Sequence, residues 1–83
     1  MIYGIWEVVV PKYRFSVVVE RGKDGYFAFC PELQGCYTQG NPYEDVLENI
    51  EEVIRLHVAD RLNHSEEIPQ FESISLPSLE VAV

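Results

Sequence analysis

The stretch from Gly25 to Asn63 constrains the fold more than any other part of the chain. It carries two short apolar strands, a loop marked by proline and glycine, and an amphipathic helix. It carries no arrangement of side chains that is typical of a catalytic site. A sharply specified fold without catalytic chemistry indicates a protein that binds a partner rather than an enzyme.

The helix is predicted from Pro42 to Leu62, and Asn63 is expected to end it. Asn41 is the expected N-cap, Pro42 suits the first helical position, and Glu44 is placed to complete a capping box with Asn41. Apolar residues recur at steps of three and four, which predicts one buried stripe. Its members are Val46, Leu47, Ile50, Val53, Ile54, His57, Val58 and Leu62.

Other segments have the composition or the alternation of strands. In the turn before the third of them, Asp24 and Gly25 are expected to supply the positive φ angles of a tight hairpin. The fold class that follows is α+β, an antiparallel β-meander with one long helix packed on the sheet and a C-terminal strand. The predicted strands are residues 2–10, Tyr13–Arg21, Tyr26–Cys30, Cys36–Gln39 and a tail over residues 71–83.

Composition excludes some partners and favours others. The 83 residues include 6 basic and 14 acidic side chains, for a formal charge of −8. Such a chain repels nucleic-acid phosphates and favours basic partners, so no direct binding to DNA or RNA is expected. The apolar N-terminal run lacks a basic segment and a cleavage site, and Glu7 interrupts it; we therefore expect a cytoplasmic protein without a membrane segment.

The order and spacing of these residues resemble the HicB antitoxin family over roughly residues 13 to 62. The family pattern is a hairpin ending in D-G-Y/F, then P-x-L-x-G-C-x-x-x-G, then a helix of the type E-E-A-x-x-N. The resemblance implies one HicB-like domain over residues 1–83 with a partial RNase H-like fold. The matching positions are Gly25, Tyr26, Pro31, Leu33, Gly35, Cys36, Gly40, Glu44 and Asn49.

The resemblance also implies a partner, namely a small basic HicA-like toxin that cleaves mRNA. Many relatives append a DNA-binding segment, but the residues after Leu62 have neither basic charge nor helical periodicity. Operator binding is therefore not implied. Pro42 stands where the family usually has threonine, a departure that is compatible with the fold.

A ribonuclease H would need several carboxylates that converge on divalent metal ions. The predicted strand centres carry Val, Phe, Ala and Cys instead, and Glu20, Asp24 and Glu44 are expected to be solvated or to cap the helix. We therefore predict no catalytic, cofactor-binding or metal-binding residues. A residual metal-dependent nuclease remains the less favoured alternative.

Cys30 and Cys36 flank a five-residue loop and are placed to face each other across a hairpin. Three interpretations remain open: buried thiols, a disulfide, or half of a metal site. Buried thiols are favoured, because a cytoplasmic chain keeps thiols reduced. His57 and His64 do not have the spacing of a zinc finger.

Several aromatic residues fall on the predicted strands. Stacking on nucleic-acid bases would also need a positive groove, which this chain cannot supply. We expect them to pack in the core or in a dimer interface, and we expect a homodimer or higher homo-oligomer. They are Tyr3, Trp6, Phe15, Tyr26, Phe27 and Phe29.

The functional hypothesis is an antitoxin-like module that neutralises its toxin by steric and electrostatic occlusion. The alternative is an orphan oligomeric domain of the same fold that binds another protein or a small ligand. The candidate acidic contacts are Glu44, Asp45, Glu48, Glu51 and Glu52 on the helix, with Glu32 on the loop.

Overall fold

The computed structural model describes residues 2–10 and 13–82, and within residues 2–10 it describes the side chains of Ile5 and Glu7. Four strands form one antiparallel sheet in the order β1-β2-β3-β4, and a 21-residue helix follows. This confirms the predicted α+β meander. The elements are β1 (Ile2–Val10), β2 (Tyr13–Gly22), β3 (Gly25–Phe29), β4 (Tyr37–Gly40) and α1 (Tyr43–Asn63).

The core lies between α1 and one face of the sheet. The predicted alternation in β2 is confirmed, since Phe15, Val17 and Val19 are all buried there. From the helix side, the buried members of the predicted stripe are Val46, Ile50, Ile54 and Val58. Leu62 is exposed, contrary to the prediction. Val58 is the last buried residue of α1, so the last turn of the helix lies beyond the core.

The turn between β2 and β3 differs from its prediction in one angle. Gly22 and Gly25 face each other across the ladder, with Lys23 and Asp24 between them. Gly25 has a φ of +126°, whereas Asp24 does not have a positive φ. A glycine adopts this conformation without the steric cost that a Cβ imposes, so Gly25 alone takes the strained angle.

The helix begins one residue later than predicted. Its N-cap is Pro42, which has an extended backbone and makes no side-chain capping hydrogen bond, and the Asn41–Pro42 peptide is cis. The predicted Asn41 cap and the capping box with Glu44 are therefore wrong. The reason is that the Pro42 carbonyl already accepts hydrogen bonds from the N–H groups of Asp45 (3.1 Å) and Val46 (3.4 Å), which makes Pro42 the residue that starts the helix.

The predicted C-terminal strand is wrong, because residues 66–82 form neither strand nor helix. Pro69 and Pro77 lack the N–H groups that a ladder needs. Along one edge of β2, moreover, β1 already pairs from Tyr13 to Arg21. The start of the tail is nevertheless attached to the domain, since Ile68 packs against the core.

Gly40 provides the closest contact between sheet and helix. A Cβ added to Gly40 would lie 2.8 Å from the Val46 nitrogen and 2.9 Å from its Cα. Both are backbone atoms and cannot move aside without shifting the first turn of α1.

We expect Gly40→Ala to lower the free energy of unfolding by about 1–3 kcal/mol, because an overpacked contact displaces its neighbours. Gly22→Ala is the matched control: its Cβ would meet nothing within 4 Å, so the change should stay within about 0.5 kcal/mol. Urea unfolding followed by circular dichroism measures both. Equal stability of the two variants would contradict the close contact.

Candidate partner-binding surface

One side of α1 carries most of the predicted contact residues. We call Glu44, Asp45, Glu48, Glu51 and Glu52 the acidic helix surface. All but Glu51 are exposed, and Glu51 is half-buried. The opposite side of the helix is held in the core, so these carboxylates keep a fixed orientation relative to the sheet.

The acidic helix surface combines favourable and unfavourable electrostatics. Glu44 and Asp45 lie in the first turn, where the helix dipole stabilises negative charge. Glu44, Glu48 and Glu52 are spaced four residues apart, and like charges at this spacing destabilise a helix by a few tenths of a kcal/mol per pair. The one ion pair found for this surface within the described residues joins Glu51 to Arg55 at 3.0 Å. A net negative surface is therefore retained despite a small cost in stability.

Glu32 does not belong to that surface. Its side chain is 6% exposed, and both carboxylate oxygens accept hydrogen bonds from the Ser16 N–H, at 3.1 and 3.2 Å. Glu32 is therefore buried and is not the surface contact that was expected: its carboxylate supplies the acceptor for a strand N–H group.

That need arises because β3 is shorter than β2. The ladder between them ends at the pair of Val18 and Phe29, so β3 offers no partner to the N–H groups of Arg14 and Ser16. Two side chains supply the acceptors that β3 lacks. Glu32 serves Ser16, and the Gln70 side-chain oxygen accepts from the Arg14 N–H at 3.2 Å. Gln70 was not predicted from the sequence, since nothing in a polar connector identifies a residue that binds a strand 56 positions earlier.

The two cysteines are buried and free, which agrees with the favoured interpretation. The Cys30 N–H donates to the Cys36 carbonyl at 2.9 Å, which extends the β3–β4 pairing by one residue. The Cys30 thiol also donates to Glu32 at 3.6 Å. Its hydrogen bond with Cys36, its burial and the Glu32 charge all raise the pKa of Cys30, whereas the same hydrogen bond lowers the pKa of Cys36.

Other positions of the family pattern have structural roles. The Asn49 side chain donates to the Gln39 carbonyl at 3.2 Å and so joins α1 to β4. Leu33 fills the core from the loop, and Gly35 has a φ of +78°. The Tyr26 ring packs edge-on against Tyr43 in α1, with centroids 5.2 Å apart.

A metal centre is not evident in the described part of the chain, where no three side chains of His, Cys, Asp or Glu are grouped closely enough to hold an ion. No helix among the described residues is long and apolar enough to cross a membrane.

The model of the HicB-like antitoxins of bacterial toxin–antitoxin systems matches residues 15–80, most of the 83-residue chain. The chain belongs to the HicB-like antitoxin family. This assignment confirms the resemblance and indicates a regulatory, non-enzymatic role.

Individual relatives agree with the assignment. A UPF0150 protein of Synechocystis is 38% identical over 72 residues, which cover 83% of this chain and 91% of the relative. Another from Thermoplasma acidophilum is 36% identical over 69% of this chain and 84% of its own length. A third from Helicobacter pylori is 49% identical over 54% of this chain and 62% of its own length. No solved structure matches this HicB-like chain.

The family model does not match the whole chain. The match begins at Phe15, so β1 lies outside the residues that the family model matches. The match continues to residue 80 and so includes the tail that contains Gln70.

We expect Glu32→Ala to lower the free energy of unfolding by about 1–3 kcal/mol, because the Ser16 N–H would lose its buried acceptor. Glu32→Gln keeps one acceptor oxygen and should lose less. Glu67→Ala, at an exposed position, should change stability by no more than about 0.5 kcal/mol. Thermal and urea unfolding measure the series, and an Ala variant as stable as the Gln variant would show that the hydrogen bonds carry little weight.

Proposed function

We propose that this HicB-like protein neutralises a small basic HicA-like toxin that cleaves mRNA, by placing the acidic helix surface over the toxin's RNA-binding face. Family membership supports an antitoxin role in general. The observation that carries the specific proposal is the concentration of five acidic side chains on one side of a single rigid helix.

The electrostatic logic follows from what such a toxin must do. An enzyme that binds RNA presents cationic side chains to the phosphates. Carboxylates fixed along α1 offer the same toxin a competing array of negative charge. Complementary charge of this kind accelerates association and selects the partner, and it contributes less to affinity itself.

Affinity therefore needs an apolar contact beside the charges. Exposed ion pairs contribute only about 0.2–1 kcal/mol each. Leu56 follows Glu52 by one helical turn and is 63% exposed, so its apolar side chain is available for burial against a partner. In the proposed complex Leu56 is the anchor that becomes buried, and the acidic residues surround it on one side.

The proposed partner can be found by experiment. We expect a short basic protein encoded next to this gene to co-purify with the tagged chain from native lysate. The purified pair should then show inhibition of mRNA cleavage when the chain is added. We place this activity in the cytoplasm, where mRNA is translated.

We expect the double variant Glu48→Lys, Glu52→Lys to bind the toxin at least tenfold more weakly and with less dependence on salt, because two carboxylates of the acidic helix surface are reversed. The matched control is Glu66→Lys, Glu67→Lys in the exposed connector after the helix, which changes the net charge by the same amount. Isothermal titration calorimetry at low and at moderate ionic strength measures both.

If the two double variants lose affinity equally, only the net charge matters, and the acidic helix surface is not the docking site. If neither loses affinity, the toxin binds elsewhere. Circular dichroism of each variant checks that α1 remains folded.

A further inference from the structure

The two cysteines of the chain lie opposite each other at the end of the β3–β4 hairpin. The ladder ends at the pair of Phe29 and Tyr37, and its register, continued by one residue, places Cys30 opposite Cys36. The hydrogen bond from the Cys30 N–H to the Cys36 carbonyl, at 2.9 Å, agrees with this register. Opposite residues share one face of a sheet, and both cysteines belong to the core that α1 covers.

This geometry is compatible with a disulfide. Opposite residues of antiparallel strands have Cα atoms about 4.5–5.5 Å apart, which lies within the ~4.4–6.8 Å that a disulfide requires. The two thiols are also in contact, because Cys30 forms a side-chain hydrogen bond with Cys36. The bond therefore needs a rotation of two side chains and no shift of the strands.

The surroundings make the two thiols chemically unequal. Cys30 has two acceptors, the Cys36 sulfur and the Glu32 carboxylate, whose Oε1 lies 3.6 Å from the Cys30 Sγ. The hydrogen bond with Cys36, burial and the Glu32 charge raise the pKa of Cys30, so this thiol keeps its proton. The same hydrogen bond lowers the pKa of Cys36. Cys36 therefore becomes a thiolate more readily, and the thiolate is the form that oxidants attack.

The loop between β3 and β4 gives a small oxidant a route to this pair. A cleft of about 390 Å³ lies at the loop, and Cys30, Leu33 and Cys36 are among the residues that line it. Gln34 and Gly35 at the tip of the loop are exposed. Each cysteine is only 2% exposed, so a peroxide, which is close to water in size, reaches the sulfur atoms more easily than a bulky disulfide reagent does.

We propose that Cys30 and Cys36 form a redox modification site, at which a small hydroperoxide converts two buried thiols into an intramolecular disulfide. In a reducing compartment the thiols are the resting state, and disulfides that form there are transient and redox-sensing. The modification closes the loop of residues 31–35 covalently. The site is separate from the proposed toxin contact, because the cysteines lie in the core and not on the acidic helix surface.

Two thiols and one hydrogen peroxide balance the reaction. The Cys36 thiolate attacks a peroxide oxygen: the S–O bond forms, the O–O bond breaks, and the departing hydroxide becomes water with the proton that Cys36 released. Glu32 then accepts the Cys30 proton as the Cys30 sulfur attacks the Cys36 sulfenic acid. The S–S bond forms, the S–O bond breaks, and the departing hydroxide becomes a second water with the proton from Glu32. Two electrons pass from the thiols to the peroxide.

Mass spectrometry of the purified wild-type chain, treated with hydrogen peroxide under native conditions, tests the proposal. The chain should lose two hydrogen atoms, remain a single chain on a non-reducing gel and leave no thiol for iodoacetamide after unfolding in urea. Dithiothreitol should restore both thiols. Because the cross-link restricts the unfolded chain, the midpoint of thermal unfolding should be about 5 °C or more above that of the reduced chain.

Two single variants assign the roles of the thiols. In Cys30→Ser the Cys36 sulfenic acid has no resolving thiol, so dimedone, which reacts with sulfenic acids, should label it after peroxide treatment. In the matched variant Cys36→Ser the Cys30 thiol keeps its proton beside Glu32, so its labelling should be at least tenfold slower. If a serine variant does not fold by circular dichroism, the alanine variant at the same position replaces it, with the same expected order of labelling.

A folded wild-type chain that keeps both thiols available to iodoacetamide after peroxide treatment would overturn the proposal. A disulfide between two chains, or an oxidised chain with a lower unfolding midpoint, would also overturn it, because the native hairpin would then not accommodate the bond. Equal labelling of the two variants would contradict the role of Cys36 as the attacking thiol. These measurements contain no toxin, so their outcome is independent of the proposed function.

Discussion

One hydrophobic core joins α1 to the sheet, and the other surfaces of the molecule depend on it. The helix contributes Val46, Ile50, Ile54 and Val58, and β2 contributes Phe15, Val17 and Val19. Each buried aliphatic side chain contributes roughly 1.5–3 kcal/mol. The contact fixes the rotation of the helix about its axis, and with it the direction of the acidic side chains. It also uses only one face of the sheet, so the apolar residues on the other face remain without a cover from α1.

Sequence patterns predicted the parts of the fold that depend on local periodicity. The alternation in Tyr13–Gly22 and the three- and four-residue steps in Tyr43–Asn63 each identify one buried face, and the structure confirms both. The acidic helix surface was predictable for the same reason, because the polar face of an amphipathic helix is defined by its apolar face. The family resemblance rests in part on glycine positions, and the structure explains them: Gly25 and Gly35 have positive φ angles, and Gly40 lies in close contact with the helix.

The features that were not predicted depend on residues distant in sequence. In the sequence, Glu32 looks like any other loop carboxylate. Its role depends on the length of β3, which is too short to pair with the Ser16 N–H. The tail alternates as a strand does, but a strand also needs a partner with free donors and acceptors, and alternation carries no information about that partner. The helix start was missed because the Pro42 carbonyl accepts the first helical hydrogen bonds, from the N–H groups of Asp45 and Val46, so Pro42 and not Asn41 is the N-cap.

The two side-chain acceptors on β2 have a consequence beyond stability. Unpaired backbone groups at a sheet edge are a template for the addition of a foreign strand, and this is how many small β-rich proteins aggregate. The N–H groups of Arg14 and Ser16 at this edge already donate to the side chains of Gln70 and Glu32, so a foreign strand cannot use these donors. A loop residue and a connector residue thus protect the part of β2 that β3 does not cover. This segment can contain apolar residues with a lower risk of pairing with a strand of another chain.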